Sequence, residues 1–101
     1  MNDLNSVLLE GVLIDDPVRI GNSGCNFNIK STRFYKVEGT PVQEVSIYAI
    51  ETFGKFADIC LTTIKKGRCV RVVGRLRQYP ETKNIVIFAE HIEFKSSKSD
   101  V

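Results

Sequence analysis

The sequence predicts a small all-β barrel of five strands, with one α-helix between the third and fourth strands. Two observations point there. Short segments with a two-residue apolar alternation recur along about 90 residues, too many and too short for a helical protein. One segment alone changes period, with apolar residues three and four apart, and it falls after the third strand.

The first strand is read over residues 5–14, Asn-Ser-Val-Leu-Leu-Glu-Gly-Val-Leu-Ile. Apolar residues on both of its faces place it deep in a sheet, and Gly11 marks a bulge or a bend. Asp15, Asp16 and Pro17 end it, and residues 19–24 read as a turn. The second strand, 25–33, alternates Cys25, Phe27 and Ile29 inward with Asn26, Asn28, Lys30 and Thr32 outward. It ends in a tip, Arg33-Phe34-Tyr35-Lys36, before a turn at Gly39 to Pro41. Rings beside cations in a loop suit base stacking together with phosphate pairing.

The third strand, 42–51, sets Val45, Ile47 and Ala49 on one face and Ser46, Tyr48 and Ile50 on the other. Thr52 is then the expected N-cap of an amphipathic helix over 53–64, with Phe53, Phe56, Ala57, Cys60, Leu61 and Ile64 on its apolar stripe. Phe56 is assigned to the core, whereas Phe53, in the first turn, is placed to lie beside the sheet. Gly67 is the expected C-terminal cap, after Lys65 and Lys66.

From Lys65 to Arg77 the chain carries six basic residues and no acidic one. From Val70 onward this is the fourth strand. Val70, Val72 and Leu76 share one face, and Arg71, Arg75 and Arg77 the other. An arginine row on a sheet attracts a polyanion, and a phosphate backbone fits that description. A link over 78–83 carries Tyr79, and the fifth strand, 84–94, is read with Val86, Phe88, Ile92 and Phe94 on one face. Residues 1–95 are taken as one domain, and the polar, serine-rich 96–101 as a fraying tail.

A helix between strands three and four of a five-stranded Greek-key barrel is the arrangement of the OB-fold, which binds oligonucleotides or oligosaccharides. Composition narrows the function further. With 43% hydrophobic and 26% charged residues, the chain has an ordinary globular balance. It has no apolar run long enough to span a membrane and no signal-like N-terminus. Cys25, Cys60 and Cys69 are widely spaced and far from the single histidine, His91, so they read as buried thiols in a reducing cytoplasm rather than metal ligands. No nucleophile, base and orienter converge and no cofactor loop appears, so neither an enzyme nor a cofactor is expected.

These residues resemble the bacterial single-stranded-DNA-binding proteins over roughly 4–94 of the chain. The pieces that carry the resemblance are Asn5-Ser-Val-Leu-Leu-Glu-Gly with Asp16-Pro17, Cys25-Asn-Phe-Asn-Ile, Glu44-Val-Ser to Phe53-Gly-Lys-Phe-Ala-Asp-Ile-Cys, Lys65-Lys-Gly-Arg with Val72-Val-Gly-Arg-Leu-Arg, and Ala89-Glu-His-Ile-Glu-Phe. The resemblance implies sequence-independent binding of single-stranded DNA in replication, recombination and repair, in the bacterial cytoplasm on the nucleoid. It also implies a homo-oligomer, a homotetramer before a dimer, and contacts with replication and repair proteins. It assigns base stacking to Tyr35 and Phe53 and phosphate contact to Lys55 and Lys66. With the bases read from the chain itself, the expected interface is Arg33, Tyr35, Lys36, Phe53, Lys55, Lys66, Arg68, Arg71, Arg75, Arg77 and Tyr79.

There are departures from the family pattern. A family aromatic on strand three falls at Ile47, and Tyr79 is an approximate substitute for an aromatic of the family's longer loop between strands four and five. The family's acidic C-terminal tip is missing from a sequence that stops at Lys-Ser-Asp-Val, either because the member is tailless or because the sequence is shortened. The alternative reading is a dimeric primosomal-type OB-fold protein that bridges single-stranded DNA and a helicase or its loader. A protein-interaction barrel indifferent to nucleic acid is a further rival.

Overall fold

The computed structural model describes residues 1–95. The expectation of a fraying tail falls on 96–101, outside the described residues. Six strands and one helix follow in the order β1 (Val7–Leu13), β2 (Val18–Ile20), β3 (Gly24–Val37), β4 (Thr40–Phe53), α1 (Lys55–Thr63), β5 (Cys69–Gln78) and β6 (Ile85–Lys95). The sheet runs β1-β5-β6-β4-β3-β2. It closes because β1 also pairs with β3, through Val12 with Lys30 and Leu13 with Ile29. The five long strands therefore form the barrel, with α1 between β4 and β5, as the alternating segments predict. The β4–β6 pairing is parallel and the other strand pairs are antiparallel.

Inward residues from every wall meet in one core: Leu13, Cys25, Phe27, Ile29, Ile50, Val70, Val72, Ile87, Ala89 and Ile92, closed on the helix side by Ala57, Cys60 and Ile64. All three cysteines are buried and free. Burial pushes the Cys60 thiol up to about 12, with the neighbouring Cys25 adding to the rise, so it stays protonated and packs as a small apolar group.

Several local expectations are corrected. Residues 19–24 are not all turn, since Val18–Ile20 form β2 on the edge of β3. Arg19 in β2 reaches Asp58 of the helix at 3.0 Å. The helix begins later than its apolar period suggests. Thr52 is the penultimate residue of β4, buried, and its hydroxyl donates to the Ala89 carbonyl at 3.2 Å. Gly54 takes the N-cap position with φ 69°, a left-handed turn open to glycine that swings the chain from strand into helix. Phe53 is thus the last residue of β4. Phe56 is half-buried and meets the His91 ring edge-on at 5.7 Å rather than entering the core. At the other end Ile64 is the C-cap, and the Gly67 N–H donates to the Leu13 carbonyl at 2.9 Å, joining the link to β1 instead of capping the helix.

The second and third predicted strands are longer than expected. β3 and β4 pair without a break from Gly24↔Phe53 to Val37↔Thr40. The turn is Glu38-Gly39, both with positive φ, and Pro41 lies within the strand opposite Lys36. Residues 33–36 are therefore strand rather than loop. Gly11 sits in unbroken register with Val70, so it makes no bulge. It allows close approach instead, since a Cβ there would lie 2.7 Å from the Lys30 carbonyl oxygen. Leu8, assigned to a deep strand, is exposed.

Among the described residues the one register break lies between β5 and β6. Val73 pairs with His91 but Gly74 pairs with Ala89, leaving Glu90 as an extra residue on β6. Gly74 fits there because a Cβ would collide with the Phe88 carbonyl. The extra residue inverts the alternation. Ile87 and Ala89 point inward before it and Ile92 after it, so Val86 and Phe88 lie on the outer face, opposite to the face they share with Ile92 in a plain two-residue period.

Candidate nucleic-acid interface

The outer face of β4, β6 and β5 collects the side chains of interest. Phe53 is 37% exposed at the end of β4. Its ring stacks on Phe88, with centroids 5.8 Å apart and planes 20° apart. Phe88 pairs across the sheet with Arg75, whose guanidinium lies 4.8 Å from the Phe88 centroid. Arg75 also stands 3.8 Å from Glu90. Lys55 is exposed at the first turn of α1, beside Phe53 in the chain.

Unbroken pairing of β3 with β4 fixes which residues share a face. Lys30, Thr32, Phe34 and Lys36 lie on the same outer face as Val45, Ile47 and Phe53. Arg33 and Tyr35 lie on the opposite face of the hairpin, where the Arg33 guanidinium sits 5.5 Å from the Tyr35 ring. Phe34 is 72% exposed against 38% for Tyr35, and Val45 and Ile47 are exposed as well. The tip residues nominated together from sequence are therefore split between two faces. Phe34 was visible as part of the aromatic tip, and strand alternation is the signal that ranks it with Phe53.

The basic row on β5 does point outward, but its members differ in setting. Arg71 lies between two carboxylates, 3.3 Å from Glu10 and 3.6 Å from Glu93. Lys95 bonds Glu10 at 2.9 Å, and that bond, with Arg71 beside it, holds the Glu10 carboxyl below its usual range against a smaller desolvation effect. Arg77 lies over the Tyr79 ring at 5.4 Å and has no salt bridge among the described residues. Leu76, read on the same face as the buried Val70 and Val72, is exposed where β5 runs beyond its pairing with β1.

Tyr79 faces the barrel wall. Its hydroxyl donates to both oxygens of the Glu51 carboxylate at 2.6 Å. That bond raises the Tyr79 pKa, with burial and the charge of Glu51 adding to it. The loop is compact: Tyr79 N–H donates to the Asn84 carbonyl at 2.9 Å and Lys83 N–H to the Tyr79 carbonyl at 2.8 Å.

Lys66 lies in the link between α1 and β5, and the Arg68 guanidinium lies 5.9 Å from the Phe94 ring centroid. The Lys66 N–H donates to Asp16 at 2.8 Å, and the Arg68 side chain donates to the Lys95 carbonyl at 2.7 Å. Arg68 immediately precedes β5 and Arg77 is its penultimate residue, about 30 Å apart along an extended strand. Among the described residues no cluster of three His, Cys, Asp or Glu side chains could hold a metal ion. No helix of the described residues is long and apolar enough to cross a membrane.

Comparison with known proteins bears on the family and the fold. The model of the single-strand binding protein family matches residues 4–95. The chain belongs to the single-strand binding protein family. A relative from Chlorobaculum tepidum, single-stranded DNA-binding protein 1, is 39% identical over an alignment of 79 residues that covers 73% of this chain and 49% of the relative. The chain thus spans about half the length of that curated relative. Among solved structures, the Plasmodium falciparum SSB complex with ssDNA superposes with a TM-score of 0.82 at 18% identity, over 95% of this chain and 98% of that one. A deletion mutant of the single-stranded DNA-binding protein from Thermus aquaticus gives 0.78 at 22% identity, over 95% and 52%. At these identities the superpositions speak for the barrel, an OB-fold shared across the single-strand binding protein family.

Proposed function

We propose that residues 1–95 form a domain that binds and protects single-stranded DNA without sequence preference, serving replication, recombination and repair, and that it acts as a binder rather than an enzyme. One observation carries the reading. On a barrel of this family, exposed rings at Phe53 and Phe34 share the outer face with Lys30 and Lys36, which have no salt bridge among the described residues. Flat rings stack on any base and cations neutralise phosphates, and neither reads sequence. The names of the Chlorobaculum tepidum and Plasmodium falciparum proteins point to the same ligand. On this reading the strand runs over β3, β4 and β6, with Lys55, Arg75 and Arg77 as further phosphate contacts. The protein would work on the bacterial nucleoid with replication and repair proteins, as a homo-oligomer, a tetramer before a dimer, which light scattering measures.

Fluorescence anisotropy with labelled oligonucleotides over a salt series tests it. Single strands of different base composition should bind alike, with a log–log salt slope of about −0.7 per phosphate contacted. Equally tight binding of duplex, or affinity indifferent to salt, overturns the reading.

A further inference from the structure

We infer that Phe88 is a positioning residue for Phe53, holding that ring ready for a base without contacting DNA itself. The inference rests on the outer face being the surface that binds single strands.

β6 lies between β5 and β4, so Phe88 is approached from both sides. Arg75 comes from β5, 4.8 Å from the ring centroid. Phe53 comes from β4, stacked at 5.8 Å. With a cation on one flank and a ring on the other, Phe88 is only partly exposed and offers little open face to a base. Phe53 is fixed from its other side too. It pairs with Gly24 of β3, and its Cε1 lies 2.7 Å from where a Gly24 Cβ would be. The Phe53 ring is thus wedged between Phe88 and the bare Gly24 backbone while 37% of the residue stays open. A ring already ordered loses less freedom on binding than a mobile one. The β6 bulge at Glu90 makes this possible, because without the extra residue Phe88 would share the inner face with Ile92.

The test is a double-mutant cycle on single-strand affinity, with thermal melting beside it. Phe88→Leu keeps bulk but removes the flat face, and Phe88→Ala removes both. Each should weaken binding about 2- to 10-fold, the range of an aromatic pair. In a Phe53→Ala background the same changes should have almost no further effect, because Phe88 acts through Phe53. Melting is read on every variant, and titration well below each midpoint separates binding from folding. If wild-type protein binds single strands but Phe88→Leu binds as tightly, the inference is overturned. It is equally overturned if Phe88→Leu costs as much without Phe53 as with it, since Phe88 would then touch the DNA. Failure of the wild-type protein to bind single strands would instead remove the proposed function.

Discussion

The Tyr79 hydroxyl donates to both carboxylate oxygens of Glu51, 28 residues away in the chain, at 2.6 Å each. Glu51 is only 7% exposed although it lies on the outward side of β4, so the phenol is its cover. Tyr79 thus pins the β5–β6 loop to the barrel wall. Phe in its place would leave a nearly buried carboxylate without that donor, and the fold should lose about 1–3 kcal/mol. The pH dependence has a definite sign. The folded state raises the Tyr79 pKa above its ordinary 10.0, so the stabilisation is fully present below pH 10 and is lost as pH rises through the higher folded value. Denaturant titrations of wild type and Tyr79→Phe should differ by a constant amount from pH 7 to about 9, and converge in stronger alkali.

The acid side belongs to Glu10. Lys95, then Arg71, keep its carboxyl below the ordinary 4.5, so the stabilisation it brings is present above that pH and lost as pH falls through the folded value. Glu10 and Lys95 are both roughly two-fifths exposed, so solvent screens the pair and its worth is under about 1 kcal/mol. Glu10→Gln should show a small loss at pH 7 and a flatter decline in denaturation midpoint between about pH 5 and 3. A variant whose midpoint follows the wild-type curve throughout would remove Glu10 from the acid response.

Arg71 and Arg77 lie on one face of β5 but should behave differently toward DNA. A phosphate at Arg71 must displace Glu10 and Glu93, whereas Arg77 has no carboxylate to give up among the described residues. Arg77→Gln should lower the magnitude of the salt slope by about 0.7, and Arg71→Gln should leave it nearly unchanged. Equal changes in the two slopes would show that Glu10 and Glu93 yield Arg71 freely.

Much of this architecture was legible in the sequence because short periods report local backbone. The alternation of Val70 and Val72 against Arg71, Arg75 and Arg77, and the switch of period after β4, placed five barrel strands and the helix. The exposed ring of Phe53 at the strand–helix junction was also legible. What stayed hidden depends on pairs far apart in the chain. Nothing near Arg71 announces Glu10, which is 61 residues away, and nothing near Tyr79 announces Glu51. The extra residue at Glu90 is invisible to a two-residue period and moves Phe88 off the face it was read to share with Ile92 and onto the outer one. The hairpin was read too short because Gly39 and Pro41 look like one turn. Glu38 and Gly39 alone make it, and Pro41 needs no backbone donor at its place in β4.

The longer hairpin separates Phe34 from Tyr35. Phe34 shares the outer face with Phe53, and Tyr35 does not. A strand of DNA laid across that face should stack on Phe34, so Phe34→Ala should weaken single-strand binding by about 1–3 kcal/mol and exceed the effect of Tyr35→Ala. The family pattern assigns the stack to Tyr35, so the comparison decides between the pattern and the pairing register. A larger loss from Tyr35→Ala would mean that the DNA wraps the opposite face of the hairpin.

Ile47 offers a gain-of-binding experiment. It stands on the outer face of β4, 60% exposed, opposite Lys30 across the β3–β4 ladder. This is where the family carries an aromatic, and the aliphatic side chain has no flat face for a base. Tyrosine suits a strand as well as isoleucine does, so Ile47→Tyr should fold normally. The added ring lies along β4 from Phe53, with Lys30 beside it to meet a phosphate, and single-strand affinity should rise by up to about 1–3 kcal/mol. Its salt slope should stay at the wild-type value, because stacking releases no counterions. Tighter binding with an unchanged slope and melting temperature would put the DNA path over the middle of β4. Unchanged affinity would mean that the path misses Ile47.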